Sequence, residues 1–238
     1  ALAGIVAWLG GMQPAWLLWL ELGLLAAAGT AYVLAALSGT SAGVPTASAS
    51  VAAPLHGSWD LVICYGAFGF GYIVPATFLP ALAREQVDNP LVFGLTWPLF
   101  GLAAALSVAV VARLLPDAPR RRVWAVAQAT MAVGTGLPVI SQSLWSLALS
   151  ALLVGGTILI TTMAGLQMAR EIMPRDPTPL LARMTAAFAA GQVAGPLLVR
   201  ALQFQPAAGS AGVSVASAIA ALVLVLSALW LWRGKASA

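Results

Sequence analysis

The sequence predicts an all-α, polytopic membrane protein: a bundle of about seven complete transmembrane helices preceded by a partial one. Three observations carry this. Hydrophobic residues make up 61% of the 238 and charged residues only 8%, where a water-facing surface calls for about 25% charge. The apolar runs continue for about 20 residues, the length of a bilayer-crossing helix. They show no alternation of period two, which excludes the other backbone solution in lipid, a transmembrane β-barrel. The net charge of +4 and pI of about 10.0 do not point to nucleic acid, because the arginines sit in short connections between apolar runs.

Taken in order, residues 1–11 (ALAGIVAWLGG) are apolar from the first position, with no basic leader and no cleavage site. Eleven helical residues cover about 16 Å, half a hydrocarbon core, so this segment reads as the tail of a span. Complete spans are expected near 15–37, 60–83, 91–114, 122–140, 144–169, 182–203 and 212–232. The stretch 38–58 is rich in Ser, Gly, Pro and Ala and reads as a flexible linker. It divides the chain into residues 1–37, a partial and a full span, and residues 59–238, a six-helix unit with a short tail.

Lys and Arg set the expected orientation. One side holds Arg113, Arg120, Arg121, Arg122, Arg170, Arg175, Arg183, Arg233 and Lys235, and the other holds Arg84 and Arg200. The nine-to-two bias makes the arginine-rich side, the linker and the C-terminus cytoplasmic. Arg113 and Arg120–Arg122 read as topology-setting charges or as a cytoplasmic gate.

Residues that break the rules of a membrane helix are the functional pointers. Pro75, Pro80, Pro98, Pro138 and Pro196 fall within spans and free the carbonyls of Gly71, Ala76, Gly94, Gly134 and Gln192. Gly71, Pro75, Pro98, Gly134, Pro138 and Pro196 are therefore candidate hinges; static kinks are the alternative. Stripes of small residues at Gly101, Ala105, Ala109 and at Ala187, Gly191, Gly195 predict close helix contacts. Tyr65 and Tyr72, one face of the Pro75 span, and the deeper Gln128 and Gln192 are candidates for a substrate path, with packing or helix bridging as the alternative. Glu21 is the one carboxylate placed within a span. It reads as a proton-coupling site or as an interfacial group that reaches water. Asp60 reads as a helix-end charge, His56 as solvated, and Trp59, Trp97, Trp124, Trp145 and Trp232 as interfacial anchors.

Enzyme classes find no support. Cys64 is the single cysteine and His56 the single histidine, so no metal cluster or cofactor is expected. No His-x-x-x-His, Gly-x-Ser-x-Gly or phosphate-cradling glycine loop occurs.

The segment YGAFGFGYIVPATFLPALARE (65–85) resembles the seventh span of the major facilitator superfamily, in particular its YbfB/YjiJ-type transporters. WPLFGLAAALSVAVVARLL (97–115) and PRRRVWAVAQATMAVGTGLPV (119–139) resemble the eighth and ninth spans, and GQVAGPLLVRAL (191–202) the eleventh. At 113–122 the chain has Pro116 and Pro119 where the superfamily's loop tends to have glycine. The resemblance implies a twelve-helix plan in which 60–232 is the C-terminal half and 38–58 the central cytoplasmic linker. It also implies alternating access, energised by protons, on a small organic or drug-like solute, in a bacterial inner membrane. The partners implied are the lipid bilayer, the solute and the N-terminal half of the same protein, without which this chain alone is expected not to transport. A non-transporting scaffold or a subunit of a larger permease is the alternative.

Overall fold

The computed structural model describes residues 15–37, 58–86, 95–203 and 211–234. They form seven helices: α1 Ala15–Leu37, α2 Trp59–Gln86, α3 Thr96–Leu114, α4 Arg120–Ile140, α5 Leu144–Ile172, α6 Thr178–Gln203 and α7 Ala211–Arg233. No strand occurs among the described residues. The expected partial span at 1–11, the linker with His56, and Lys235 lie outside them.

The helices start where local chemistry lets them. Ser143 caps α5 by accepting the Ser146 N–H at 3.3 Å, and Asp176 accepts the Thr178 N–H at 3.1 Å where α6 begins. Pro119 stands immediately before α4, and Pro98 lies in the first turn of α3, where a missing N–H costs no intrahelical bond. Helices α2 to α7 are each long and apolar enough to cross a membrane. α1 has 23 residues, about 35 Å of helix, and its described side chains are almost all exposed.

α2 is the central element, packed on α5, α6 and α7 and more lightly on α3 and α4. α4 lies between α5 and α7, and α3 rests on α5. About 56% of the membrane-length windows of α2 and α4 is buried, against 11% for α3 and α6, so the last two form the rim. One apolar cluster, around Leu61, Phe68, Trp124, Met131 and Leu180, occupies the arginine-rich end and the middle. A second, around Val74, Leu79, Leu147 and Val213, fills the opposite end.

Glycine sets the closest approach. Gly66 and Gly69 of α2 face Ala187, Phe188 and Gly191 of α6 with their backbones in contact. A Cβ on Gly191 would stand 2.6 Å from the Phe70 backbone nitrogen, and a backbone atom cannot step aside. The stripe Ala187, Gly191, Gly195 thus makes a tight helix contact. The stripe on α3 does not: Ala105 and Ala109 are exposed, and α3 meets α5 instead where Gly155 admits the backbone of Phe100. Small side chains at a spacing of four mark a face that allows close packing, but a partner must still arrive there.

We expect Gly191→Ala to lower stability by about 1–3 kcal/mol through overpacking, seen as a lower unfolding temperature in detergent. Gly23→Ala, which meets nothing within 4 Å, serves as the neutral comparison. Equal unfolding temperatures for the two variants would remove the close-contact account.

Candidate functional site

Tyr72, Phe188 and Phe100 bring α2, α6 and α3 together. The Tyr72 and Phe188 rings are nearly parallel at 12°, with centroids 6.2 Å apart. Phe100 lies 6.4 Å from Tyr72 on the other side, and Trp97 continues the row 5.8 Å beyond Phe100. Tyr72, Phe188 and Phe100 are half-buried and Trp97 is exposed, so the row is a ledge with one side free. Beneath it, Phe68 touches Phe188 at 5.0 Å and is fully buried. Tyr65 is buried as well, edge-on to Phe68 and Trp124, and its ring occupies the space that Gly165 leaves on α5. The two tyrosines therefore share a face but differ in access: Tyr65 is packed in and Tyr72 looks out. Gln192 stands one turn beyond Phe188 on α6 and is half-buried.

Gln128 is fully buried at the junction of α2, α4 and α7. Its oxygen accepts the Trp124 indole N–H at 2.6 Å, and its amide nitrogen donates to the Cys64 carbonyl at 3.3 Å and to the Ser227 hydroxyl. Ser227 in turn donates to the Leu224 carbonyl at 2.9 Å. The group thus bridges three helices with both ends of its amide engaged. Trp124 corrects the sequence reading. It is fully buried, not at the interface, because its N–H belongs to this network. Trp59, Trp97, Trp145 and Trp232 are exposed, as anchors are.

The candidate hinges fall into two groups. Two freed carbonyls find hydroxyls on neighbouring helices. Ser150 of α5 donates to the Gly134 carbonyl at 2.7 Å, below Pro138, and Thr135 of α4 reaches the Gly71 carbonyl at 3.5 Å, below Pro75. Both helices run unbroken through these prolines. Pro75, Pro80 and Ala76 line a small pocket with Thr96, Trp97 and Phe100, beside the outer end of the aromatic ledge. Pro196 lies inside α6, and Gly94 is outside the described residues. Glu21 belongs to α1, and its side chain is likewise outside the described set.

The arginines do separate jobs. Arg121 is buried and donates to Asp60 at 2.6 Å and, through Nε, to the Leu231 carbonyl at 2.9 Å. It ties the first turn of α2 to the last turns of α7, and the helix-end charge expected at Asp60 has a named partner. Arg120 bonds the Pro116 carbonyl at 2.9 Å. Arg122 lies over the Trp232 ring at 5.8 Å, and Arg113 is exposed at the end of α3. Sequence reasoning named Tyr72 but missed Phe188, the residue that completes the ledge; a lone phenylalanine in an apolar span carries no signal of its own. No group of three or more metal-ligating side chains occurs among the described residues.

The chain matches the model of the family described as "Uncharacterised MFS-type transporter YbfB" over residues 1–231. No curated protein and no solved structure matches it.

The Asp60–Arg121 pair supplies a test of this geometry. Arg121→Ala leaves a largely buried carboxylate without its cation, so the double variant Asp60→Ala/Arg121→Ala should be less destabilised than the two single variants add up to. The coupling expected from a double-mutant cycle is about 1–3 kcal/mol, measured by unfolding in detergent. Strict additivity would mean that the two side chains do not interact.

Proposed function

The chain belongs to the family of YbfB-type transporters of the major facilitator kind, and from that premise we propose that it works by alternating access on a small organic, drug-like solute, coupled to protons. In this reading the six-helix body 59–234 is one of two halves that rock about a central site. Tyr72, with Phe188 and Phe100, forms that body's wall of the path, and Gln192 supplies a hydrogen-bonding group beside it. The observation that carries the reading is the half-buried aromatic ledge across α2, α3 and α6. It offers π faces and amide hydrogen bonding in a stretch of helix with no fixed charge.

The distribution of charge supports the same reading. In α2 to α7 every Asp, Glu, Lys and Arg lies within about two turns of a helix end. A solute bound at mid-depth against these helices would meet aromatic and amide groups, which suits an uncharged or aromatic molecule. Glu21 in α1 is the proposed coupling carboxylate. Helices α2, α4 and α6, each with a proline inside it, supply the bending positions at Gly71, Pro75, Gly134, Pro138 and Pro196. The arginine-rich end faces the cytoplasm of a bacterial cell and the protein lies in its inner membrane.

The test is uptake by the full-length protein in proteoliposomes, with a panel of small aromatic and drug-like solutes and an imposed proton gradient. Tyr72→Ala should reduce transport about tenfold, near the upper worth of an aromatic contact, while Tyr72→Phe keeps most of it. Full activity in Tyr72→Ala removes the path assignment, and transport indifferent to the proton gradient removes the coupling. Glu21→Gln should transport downhill yet fail to concentrate the solute.

A further inference from the structure

On a different side of the body, α4 and α7 line an open apolar groove of about 460 Å³. One wall is the exposed stripe Val126, Ala129, Val133 of α4, and the other is Val225, Leu229, Trp232 of α7. Ala125 and Ala228, both buried, form its floor. The one hydroxyl in the lining, on Thr130, donates to the Val126 carbonyl of its own helix at 2.9 Å. The groove therefore presents almost nothing but hydrocarbon.

Its head is different. Residue 122 falls one turn before Val126 on the same stripe, and the Arg122 guanidinium lies over the Trp232 ring that closes the groove, 5.8 Å from the centroid. Arg120 and Arg121 are committed to Pro116 and to Asp60. Arg122 is exposed and is paired with no carboxylate among the described residues. Arg233, also exposed, follows Trp232 directly. An apolar channel a few turns long, capped by a guanidinium held on an indole, has the polarity of a phospholipid. Hydrocarbon lies along its length, and a bidentate phosphate ligand stands at its end.

We propose that the α4–α7 groove binds one anionic phospholipid, with an acyl chain along Ala129 and Leu229 and the headgroup phosphate on Arg122. Basic sites between helices at the membrane surface recognise such headgroups, and an indole held beside the guanidinium suits the headgroup level of the bilayer. The site is separate from the aromatic ledge and does not depend on what the protein transports.

The full chain, delipidated in detergent, is titrated with phosphatidylglycerol and with phosphatidylcholine, and adducts are read by native mass spectrometry. The first phosphatidylglycerol should bind in preference, and Arg122→Gln should lower that preference about fivefold, while Arg122→Lys, which keeps the charge but loses the bidentate fork, should fall between the two. Ala129→Phe, which fills the groove, should lower occupancy by both lipids. Arg113→Gln, which removes an exposed charge at the same end on α3, should change nothing. The proposal is overturned if Arg122→Gln keeps the preference, or if Arg113→Gln lowers it equally, which would mark diffuse attraction. A protein dimer that Ala129→Phe dissociates would also overturn it, since a second copy then fills the groove. Unfolding temperatures confirm that the variants remain folded; should Ala129→Phe not fold, the three arginine variants decide.

Discussion

The hydrocarbon core of a bilayer donates and accepts no hydrogen bonds, and the structure is organised around that lack. Each peptide group in a span must find its partner within the protein. Continuous helices meet the requirement everywhere except four residues before a proline. At Gly134 and Gly71 the orphaned carbonyls are met from the side, by the hydroxyls of Ser150 and Thr135 on neighbouring helices. A proline in one helix and a Ser or Thr in the next are thus two halves of one device. The device also fixes the register of the pair, since the hydroxyl must arrive at the depth of the free carbonyl.

The same economy governs side chains. Polar groups in the body are few, and Gln128, fully buried, has both ends of its amide engaged by Trp124, Cys64 and Ser227. Its network and the Arg121–Asp60 pair both join α2, α4 and α7, one at mid-depth and one at the arginine-rich end. The opposite flank, α2 against α6, is held by glycine-to-backbone contact, by the Phe188 ring against Tyr65, Phe68 and Tyr72, and by Arg183 over the Trp59 ring at 5.7 Å. The body thus has a side joined by buried side-chain hydrogen bonds and a side joined by close backbone contact and stacked rings. The aromatic ledge lies on the second.

Much of this was legible in the sequence. Long apolar runs gave the spans, the positions of Pro75 and Pro138 named the carbonyls that would need help, and Ala187, Gly191 and Gly195 marked the face that α2 meets. What could not be read was neighbourhood. A span in lipid is apolar all round, so periodicity does not separate the face toward protein from the face toward hydrocarbon, as it does for a helix in water. Trp124 looked interfacial because it stands near the start of α4, yet its indole N–H is bound to buried Gln128 and its ring is packed into the core. The stripe Gly101, Ala105, Ala109 had the right spacing, but among the described residues Ala105 and Ala109 stay exposed. Phe188 became visible only once α6 was seen lying against α2, and the groove beside Arg122 only once α4 and α7 were paired.

Arg121 holds Asp60, 61 positions behind it in the chain, and the Leu231 carbonyl, 110 positions ahead. Gln128 likewise reaches back to Cys64 and forward to Ser227. The first and last helices of the six-helix body are therefore fastened through a helix made between them. Neither fastening is complete without α7: Arg121 then lacks the Leu231 carbonyl and Gln128 lacks Ser227. α7 acts as a keystone: one helix supplies the missing partner of both Arg121 and Gln128.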